Sequence, residues 1–178
     1  MKMTYLFRRL PLFMLALLTL SGCGYRIGNL GHPQLKSIAV APVVNETLSY
    51  NLAAQTRNML CERITTDGTM KLVGESTADC ILYARVMDVK FSESASSSTS
   101  RSRDGWDQYT PTQWLVKISI EYSLVIPGRF TPLIDKRMVS GSAYFMAGPD
   151  LESARANGTR QAAYDAAKKL VSDITEAW

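Results

Sequence analysis

Apolar and polar positions alternate most regularly between residues 114 and 126. The positions between the apolar ones include Lys117, Ser119, Glu121 and Ser123. A period of two places one face of a strand against a core and the other face against water. Other runs rich in apolar and β-branched residues predict further strands. These runs are residues 38–44, 70–73, 80–91 and 133–145.

Two further segments repeat their apolar positions with the period of an α-helix. The first follows Asn45-Glu46-Thr47, whose side chains are expected to cap it, and ends at Asp67-Gly68. Its predicted buried face consists of Leu48, Leu52, Thr56, Met59, Leu60 and Ile64. The second helix begins at Asp150 as its N-cap and is rich in alanine. The order of elements predicts an α+β fold, a two-layer sandwich in which a mostly antiparallel sheet of about four or five strands has two helices on one face.

Residues 92–112 interrupt the strand pattern. They open with a serine-rich run of low complexity, which cannot bury a core. We therefore expect a serine-rich loop at 92–112, much longer than the usual few residues between strands. Loops of that length are either functional or disordered, and the sequence leaves both readings open.

The N-terminal segment has the three parts of an export signal. Basic residues come first, an apolar stretch from Leu10 to Leu20 follows, and Ser21-Gly22-Cys23 closes it. A cysteine after Leu-Ser-Gly resembles the lipobox of bacterial lipoproteins. The resemblance implies removal of residues 1–22 and a lipid anchor on Cys23, with an N-acyl chain and an S-diacylglycerol group. Residues 23–34 then form a lipidated tether and 35–178 a single domain. The alternative is an ordinary secretory signal with a chance cysteine nearby.

The residue after Cys23 bears on the membrane that holds the anchor. In lipoproteins an aspartate at that position tends to retain the protein at the inner membrane, whereas here the residue is Gly24. The expected location is therefore the outer membrane, on its periplasmic side. No later stretch of the sequence is long and apolar enough to span a bilayer, so lipid is expected to supply the attachment.

Removing the signal changes how the charge is interpreted. The full chain carries +4, but residues 1–22 contain three of its 20 Lys and Arg and none of its 16 Asp and Glu. The remaining 156 residues carry a net charge of +1. The basic character that would favour a nucleic-acid partner belongs largely to the signal, so we expect no nucleic-acid binding.

Residues suited to catalysis or metal binding are scarce. The one histidine, His32, lies in the tether, and no Cys or His cluster has metal-ligand spacing. We expect no enzymatic activity, no metal and no cofactor beyond the lipid. An oxidising periplasm allows a disulfide between Cys61 and Cys80. We prefer two unpaired cysteines, since Cys61 is expected on the solvent side of a helix and Cys80 on a strand.

Several features together resemble one family. They are Cys23-Gly24-Tyr25, the strand Ile38-Ala39-Val40-Ala41-Pro42 leading into Asn45-Glu46-Thr47, the helix end Leu60-Cys61-Glu62-Arg63-Ile64, the strand start Ala78-Asp79-Cys80-Ile81-Leu82, and Asp150-Leu151-Glu152-Ser153-Ala154. In order and spacing they are similar to the LptE family of lipopolysaccharide-assembly lipoproteins, over about residues 23–178. The resemblance implies a subunit of the lipopolysaccharide translocon that plugs an LptD-like β-barrel, helps it assemble and binds lipopolysaccharide.

Lipopolysaccharide carries phosphates, which Arg and Lys recognise well. The candidate phosphate-binding residues are Arg101, Arg103, Arg129, Lys136 and Arg137. In a meander of hairpins, Arg101 and Arg129 lie at opposite ends of the sheet and cannot form one site. The alternative is that each is a solvated surface charge.

A second functional class remains open. The strand followed by Asn-x-Thr also occurs in LpoB-like and CsgG-like lipoproteins, which regulate peptidoglycan synthesis or take part in secretion. A regulator that reaches peptidoglycan enzymes usually needs a long tether. Here about 14 residues precede the fold, and they span at most about 50 Å. That length favours a partner at the membrane itself.

Overall fold

The computed structural model describes residues 35–101 and 107–176. The predicted signal, the tether with Cys23, and Arg103 lie outside these ranges. The described residues form six strands, two helices and one 3-10 turn. The strands are β1 (Ser37–Val40), β2 (Val44–Asn45), β3 (Lys71–Leu72), β4 (Cys80–Arg101), β5 (Asp107–Val125) and β6 (Ile134–Met146). The helices are α1 (Leu52–Asp67) and α2 (Leu151–Glu176), and the 3-10 turn is Glu75–Thr77.

All six strands belong to one mixed sheet. The order is β3-β1-β4-β5-β6, and β2 pairs with β4 beyond the end of β1. β1 runs parallel to both β3 and β4, whereas the long β4–β5 and β5–β6 ladders are antiparallel. The predicted α+β sandwich is therefore confirmed. The sheet has one strand more than the upper expected number, and its first three strands join it through parallel pairing.

The core lies between the sheet and the two helices. On β5, Val116, Ile118 and Ile120 are fully buried, while Lys117 on the opposite face is exposed. α2 contributes Ala162, Ala163, Ala166 and Ala167, which are all fully buried. Small side chains let this helix approach the sheet closely, as Gly141 on β6 shows. A methyl group added to Gly141 would collide with the backbone of Ala162 and Ala166.

The segment predicted as a serine-rich loop is largely strand, so that expectation is wrong. β4 continues through Arg101, and the ladder with β5 extends from Ile81↔Val125 to Arg101↔Asp107. Pairing is interrupted by register shifts, two of them around Ala95. Backbone hydrogen bonds to the partner strand form the ribbon without a buried core, because every main chain carries the same donors and acceptors.

The start of α1 also differs from the expectation. The helix begins at Leu52, and Leu48, which was assigned to its buried face, is fully exposed. Asn45 does not cap the helix. Its Oδ1 accepts hydrogen bonds from the backbone N–H and the hydroxyl of Thr47, at 3.0 and 2.7 Å. These short-range bonds fold the chain into a turn instead, a common alternative for Asn and Thr. The predicted cap of α2 is confirmed, since the N–H of Ser153 donates to Asp150.

The carboxylate of Asp79 binds the backbone where the chain enters the sheet. Asp79 accepts hydrogen bonds from the backbone N–H groups of Lys36 and Ser37, at 3.0 and 2.9 Å, and from the Ser37 hydroxyl at 2.7 Å. The Ser37 hydroxyl and these amides lower the pKa of Asp79. The first residues of β1 are thereby bound to the start of β4.

We expect Asp79→Ala to destabilise the domain in a pH-dependent way. The folded pKa of Asp79 lies below its ordinary value of 3.8, so its contribution is present at higher pH and is lost as the pH falls through the folded pKa. The unfolding midpoints of wild type and variant should differ at pH 7 and converge below about pH 4. Asp135→Ala, at an exposed carboxylate on β6, is the control. A difference that persists unchanged at low pH would contradict the assignment.

Candidate functional site

A shallow groove lies on the face of the sheet that the helices leave open. Its cavity of about 170 Å³ is smaller than a typical ligand pocket of roughly 300–1,000 Å³. The side chains that line it come from β2, β4, β5 and β6 and from the segment before β2. They are Pro42, Val44, Tyr83, Arg85, Glu121, Ser123 and Lys136. The size fits one headgroup or sugar-phosphate unit rather than a set of acyl chains.

The alternation of side chains along β4 and β5 determines which residues form the floor of the groove. On β4, Leu82, Ala84 and Val86 face the core, so Tyr83 and Arg85 face the open side. Tyr83 is paired across the ladder with Ser123, and Arg85 with Glu121. The floor therefore combines an aromatic ring, a hydroxyl, a cation and a carboxylate on two adjacent strands.

A β-bulge places Lys136. The register between β5 and β6 shifts between Tyr122 and Leu124, so one extra residue is accommodated on β6. Lys136 takes φ of 34°, a left-handed conformation that non-glycine residues rarely adopt. Bulges redirect side chains, and here the redirected residue is a cation that lines the groove. The side chain of Lys136 has no hydrogen-bond or ion-pair partner within residues 35–101 and 107–176.

Arg85 is the second cation of the groove. Its Nη1 lies 2.9 Å from Oε1 of Glu46, and both side chains are roughly half exposed. Exposed ion pairs of this kind contribute only about 0–1 kcal/mol. An anion of higher charge can therefore compete with Glu46 for Arg85. Together the groove offers two cations beside the apolar surfaces of Val44 and Tyr83.

The cations proposed from the sequence do not come together in the part of the chain that the structure describes. Arg129 lies exposed in the β5–β6 turn, and the β4 backbone carries Arg101 to the other end of the sheet, as the meander predicts. Arg137 is held by α2, because its Nη1 lies 3.3 Å from Oδ1 of Asp173. Among the candidates whose side chains the structure describes, which are Arg129, Lys136 and Arg137, Lys136 alone lines the groove.

Sequence reasoning missed Arg85 and Tyr83. Their signal was present in the alternation of residues 80–86, where both occupy the polar phase of a strand. The partner strands that surround them follow only from the topology, because β2 and β6 are far from β4 in sequence.

Arg137 has a structural role with Tyr122. The buried hydroxyl of Tyr122 donates to Oδ2 of Asp173, which also receives Arg137. Burial, followed by the bond to Asp173, raises the pKa of Tyr122. This cluster fixes the second half of α2 on the sheet.

A larger cleft of about 590 Å³ lies between α1 and the β1–β3 side of the sheet. The cation that lines this cleft is Arg57. It already has a partner, since its Nη2 donates a hydrogen bond to the carbonyl of Val40 at 3.2 Å. Cys61 also lines this cleft and is half-buried, while Cys80 is buried on β4. Both cysteines are free, which agrees with the preferred assignment.

Neither metal binding nor a membrane-spanning helix is found in the described part of the chain. No group of three or more His, Cys, Asp or Glu side chains is arranged to hold a metal ion there. None of the helices in those residues is long and apolar enough to cross a bilayer.

Comparison with known proteins identifies a similar fold but no family. No protein family and no curated protein matches the sequence. A solved Xanthomonas campestris protein assigned to the DUF330 family has a TM-score of 0.52 at 11% identity, over 79% of this chain and 86% of that one. At such identity the similarity shows the fold alone.

Two structures with lower TM-scores are lipoproteins by name. One, from Caulobacter crescentus, has a TM-score of 0.49 at 16% identity, over 76% of this chain and 86% of that one. The other, a minor lipoprotein of Acinetobacter baumannii, has a TM-score of 0.49 at 9% identity, over 79% and 92%.

Proposed function

We propose that this chain is a non-enzymatic lipoprotein subunit of the outer-membrane lipopolysaccharide translocon. In this proposal a lipid on Cys23 anchors it at the periplasmic side of the outer membrane. The folded domain plugs an LptD-like β-barrel, helps that barrel assemble and binds lipopolysaccharide on its way to the outer leaflet. The starting point is the LptE-like pattern of residues 23–178 described above.

One structural observation carries the binding part of the proposal. Lys136 lines a headgroup-sized groove with no polar partner of its own among the described residues, at a backbone conformation that costs roughly 1–2 kcal/mol. A strained, unpaired cation supports a role in recognition more than a role in folding. Phosphate is the anionic group of lipopolysaccharide that such a cation binds.

The barrel part is supported by the character of the open sheet face. A barrel lumen is polar, and this face carries exposed polar groups such as Lys117 and Arg85. The face has no covering element among the described residues, so it is accessible to a surrounding wall.

Depletion of the protein from cells tests the function as a whole. Loss of lipopolysaccharide from the cell surface is expected, together with recovery of a large β-barrel protein when the tagged lipoprotein is purified from gently solubilised membranes. Unchanged surface lipopolysaccharide would exclude the proposed function. Recovery of peptidoglycan-synthesis enzymes without a barrel would favour the regulator class instead.

Substitutions of Lys136 test the groove. We expect Lys136→Gly to weaken lipopolysaccharide binding by about tenfold or more, because one charge-assisted hydrogen bond of about 1.5–3 kcal/mol is lost. The same variant should raise the free energy of unfolding by about 1 kcal/mol, since glycine adopts positive φ without strain. Lys136→Glu should weaken binding further, because its carboxylate also repels the phosphate. Binding is measured by titration of the purified acylated protein, and stability by denaturant unfolding.

Lys117→Glu is the matched control for these variants. Lys117 is exposed on the same face but does not line the groove. It lies four residues from Glu121 along β5, which is about 13 Å. Its affinity loss should stay below about twofold if the groove is the site. Equal losses for Lys117→Glu and Lys136→Glu would indicate general electrostatic attraction rather than a site.

A further inference from the structure

The cleft between α1 and the β1–β3 side of the sheet contains a gap in backbone pairing. The N–H of Val73 donates to the carbonyl of Ile38 at 3.0 Å. In a parallel ladder, the next hydrogen bond would join the N–H of Val40 to the carbonyl of Val73. That bond is not formed among the described residues, since the chain continues through Gly74 into the 3-10 turn Glu75–Thr77. β1 and the chain that follows β3 therefore separate, and both line the cleft.

This separation leaves a buried hydrogen-bond donor without a partner. The N–H and the C=O of one strand residue point to the same side of the strand, so the N–H of Val40 faces the same cleft as its carbonyl. Val40 is only 3% exposed, and its N–H has no hydrogen-bond partner within residues 35–101 and 107–176. Buried backbone N–H groups without a partner are rare in folded proteins. This one is available to an acceptor that enters the cleft.

Arg57 supplies a positive charge beside the same residue. Its Nη2 donates to the carbonyl of Val40 at 3.2 Å, which holds the guanidinium against β1. A carbonyl is neutral, so this bond positions the charge without neutralising it. In the described part of the chain no carboxylate forms an ion pair with Arg57. The remaining N–H groups of the guanidinium can therefore bind an anion.

The cleft has the size and the walls of a ligand site. Its volume of about 590 Å³ lies within the usual range of roughly 300–1,000 Å³. Leu72 and Val73 form an apolar wall on one side, and Cys61 lies one helical turn from Arg57 on the other. Burial raises the pKa of the Cys61 thiol above 9.0, although the charge of Arg57 opposes the shift. The thiol is therefore uncharged at neutral pH and adds no charge to the cleft.

The charges that line the cleft favour an anion with one negative charge. Among the described residues that line it, Arg57 is the one cation and Glu75 the one carboxylate. A doubly charged phosphate would keep one unmatched charge beside Glu75, whereas a carboxylate matches Arg57. A carboxylate also has two oxygens, so one can accept from Arg57 while the other accepts from the N–H of Val40.

We propose that this cleft binds a carboxylate group between the guanidinium of Arg57 and the N–H of Val40. The carboxylate belongs to the C-terminus of a peptide or to a free organic acid, which present the same chemistry to these two donors. The apolar wall contacts the remainder of the ligand. This site goes beyond the proposed function, since it shares no residue with the groove that Lys136 lines.

The amide resonance of Val40 provides a direct test. Isotope-labelled full-length protein in detergent is titrated with sodium acetate, with an N-acetylated tripeptide of alanine, with the C-terminal amide of the same peptide, and with inorganic phosphate. We expect a saturable shift of the Val40 resonance with both carboxylates, and at least tenfold weaker binding of the amide than of the free-acid peptide. No saturable shift with either carboxylate, equal binding of the amide, or tighter binding of phosphate than of acetate would overturn the proposal.

The same titrations identify the source of the carboxylate. A peptide that binds at least tenfold more tightly than acetate supports a peptide C-terminus, because the apolar wall then contributes to the affinity. A smaller difference supports a free organic acid. Both results retain the carboxylate site.

Variants of the two sides of the cleft test the assignment of residues. Arg57→Gln keeps a donor for the carbonyl of Val40 but removes the charge, so affinity for the free-acid peptide should fall at least tenfold. Cys61→Phe fills the cleft and leaves Arg57 in place, and it should also abolish the shift of the Val40 resonance. Thermal unfolding of each variant verifies that the domain is folded.

Lys71→Gln is the matched control. Lys71 is an exposed cation on β3 that adjoins the cleft without lining it, and its loss should change the affinity less than twofold. Lys136→Gly should likewise have no effect, so failure of the phosphate groove leaves the carboxylate site standing. Equal losses for Arg57→Gln and Lys71→Gln, or unchanged binding by folded Arg57→Gln, would overturn the proposal.

Discussion

Gly141→Leu is expected to prevent α2 from docking on the sheet. Gly141 lies on β6 directly beneath α2, and even a Cβ at this position would overlap the backbone of Ala162 and Ala166. Neither side can yield locally, since both are main chain within regular elements. The helix must therefore move away, and the buried alanines of α2 then lose their packing against the sheet.

The expected cost of Gly141→Leu is at least about 3 kcal/mol, the upper end of ordinary overpacking effects. That is a large part of a domain stability of about 5–15 kcal/mol. Denaturant unfolding with circular dichroism measures the loss, and Gly141→Ala should already show part of it. Gly74→Ala is the control, since Gly74 has ordinary φ of −72° and nothing within 4 Å of an added Cβ. A Gly141→Leu protein as stable as Gly74→Ala would contradict this packing.

Docking of α2 also involves the free edge of β6. Asp165 accepts a hydrogen bond from the N–H of Ser142 at 3.0 Å, and Lys169 donates to the carbonyl of Ser140 at 3.2 Å. Asp165 and Lys169 are themselves 2.7 Å apart. Partial burial raises the pKa of Asp165, but the hydrogen bonds from Lys169 and from the N–H of Ser142 lower it overall. The helix thus satisfies main-chain groups that would otherwise be open to pairing with another strand.

The sequence pattern predicted the elements that bury one face. Alternation on β5 and the alanine stripe of α2 depend on burial, and burial leaves a period in the sequence. The pattern failed where backbone hydrogen bonds decide the structure. The serine run is paired as a strand although its side chains carry no apolar period, and Leu48 was placed in α1 because its spacing fitted by chance.

The candidate site was harder to predict than the fold. Lys136 was one of five cations with equal claims in the sequence. What distinguishes it is a bulge, which depends on the register between β5 and β6 and has no local signature. Arg137, its neighbour, had the same claim and instead pairs with Asp173 on α2. Lys136 and Arg137 differ in their contacts with segments that are distant in the chain. Such contacts cannot be read from a single sequence.

Cys23→Ala is expected to remove the protein from the outer membrane. In the proposed function, lipid is attached through a thioether at the sulfur of Cys23, and alanine has no nucleophile to form that bond. Palmitate labelling should fall to background, and the chain should keep the proposed signal, residues 1–22, and therefore run larger on a gel. Membrane fractionation should place this precursor away from the outer membrane.

Cys61→Ala is the matched control, since Cys61 is a free, half-buried cysteine in α1 that should leave labelling and location unchanged. If the N-terminus is an ordinary secretory signal, wild type will carry no palmitate, and Cys23→Ala will be cleaved and exported like wild type. That outcome would remove the anchor on which the translocon proposal depends.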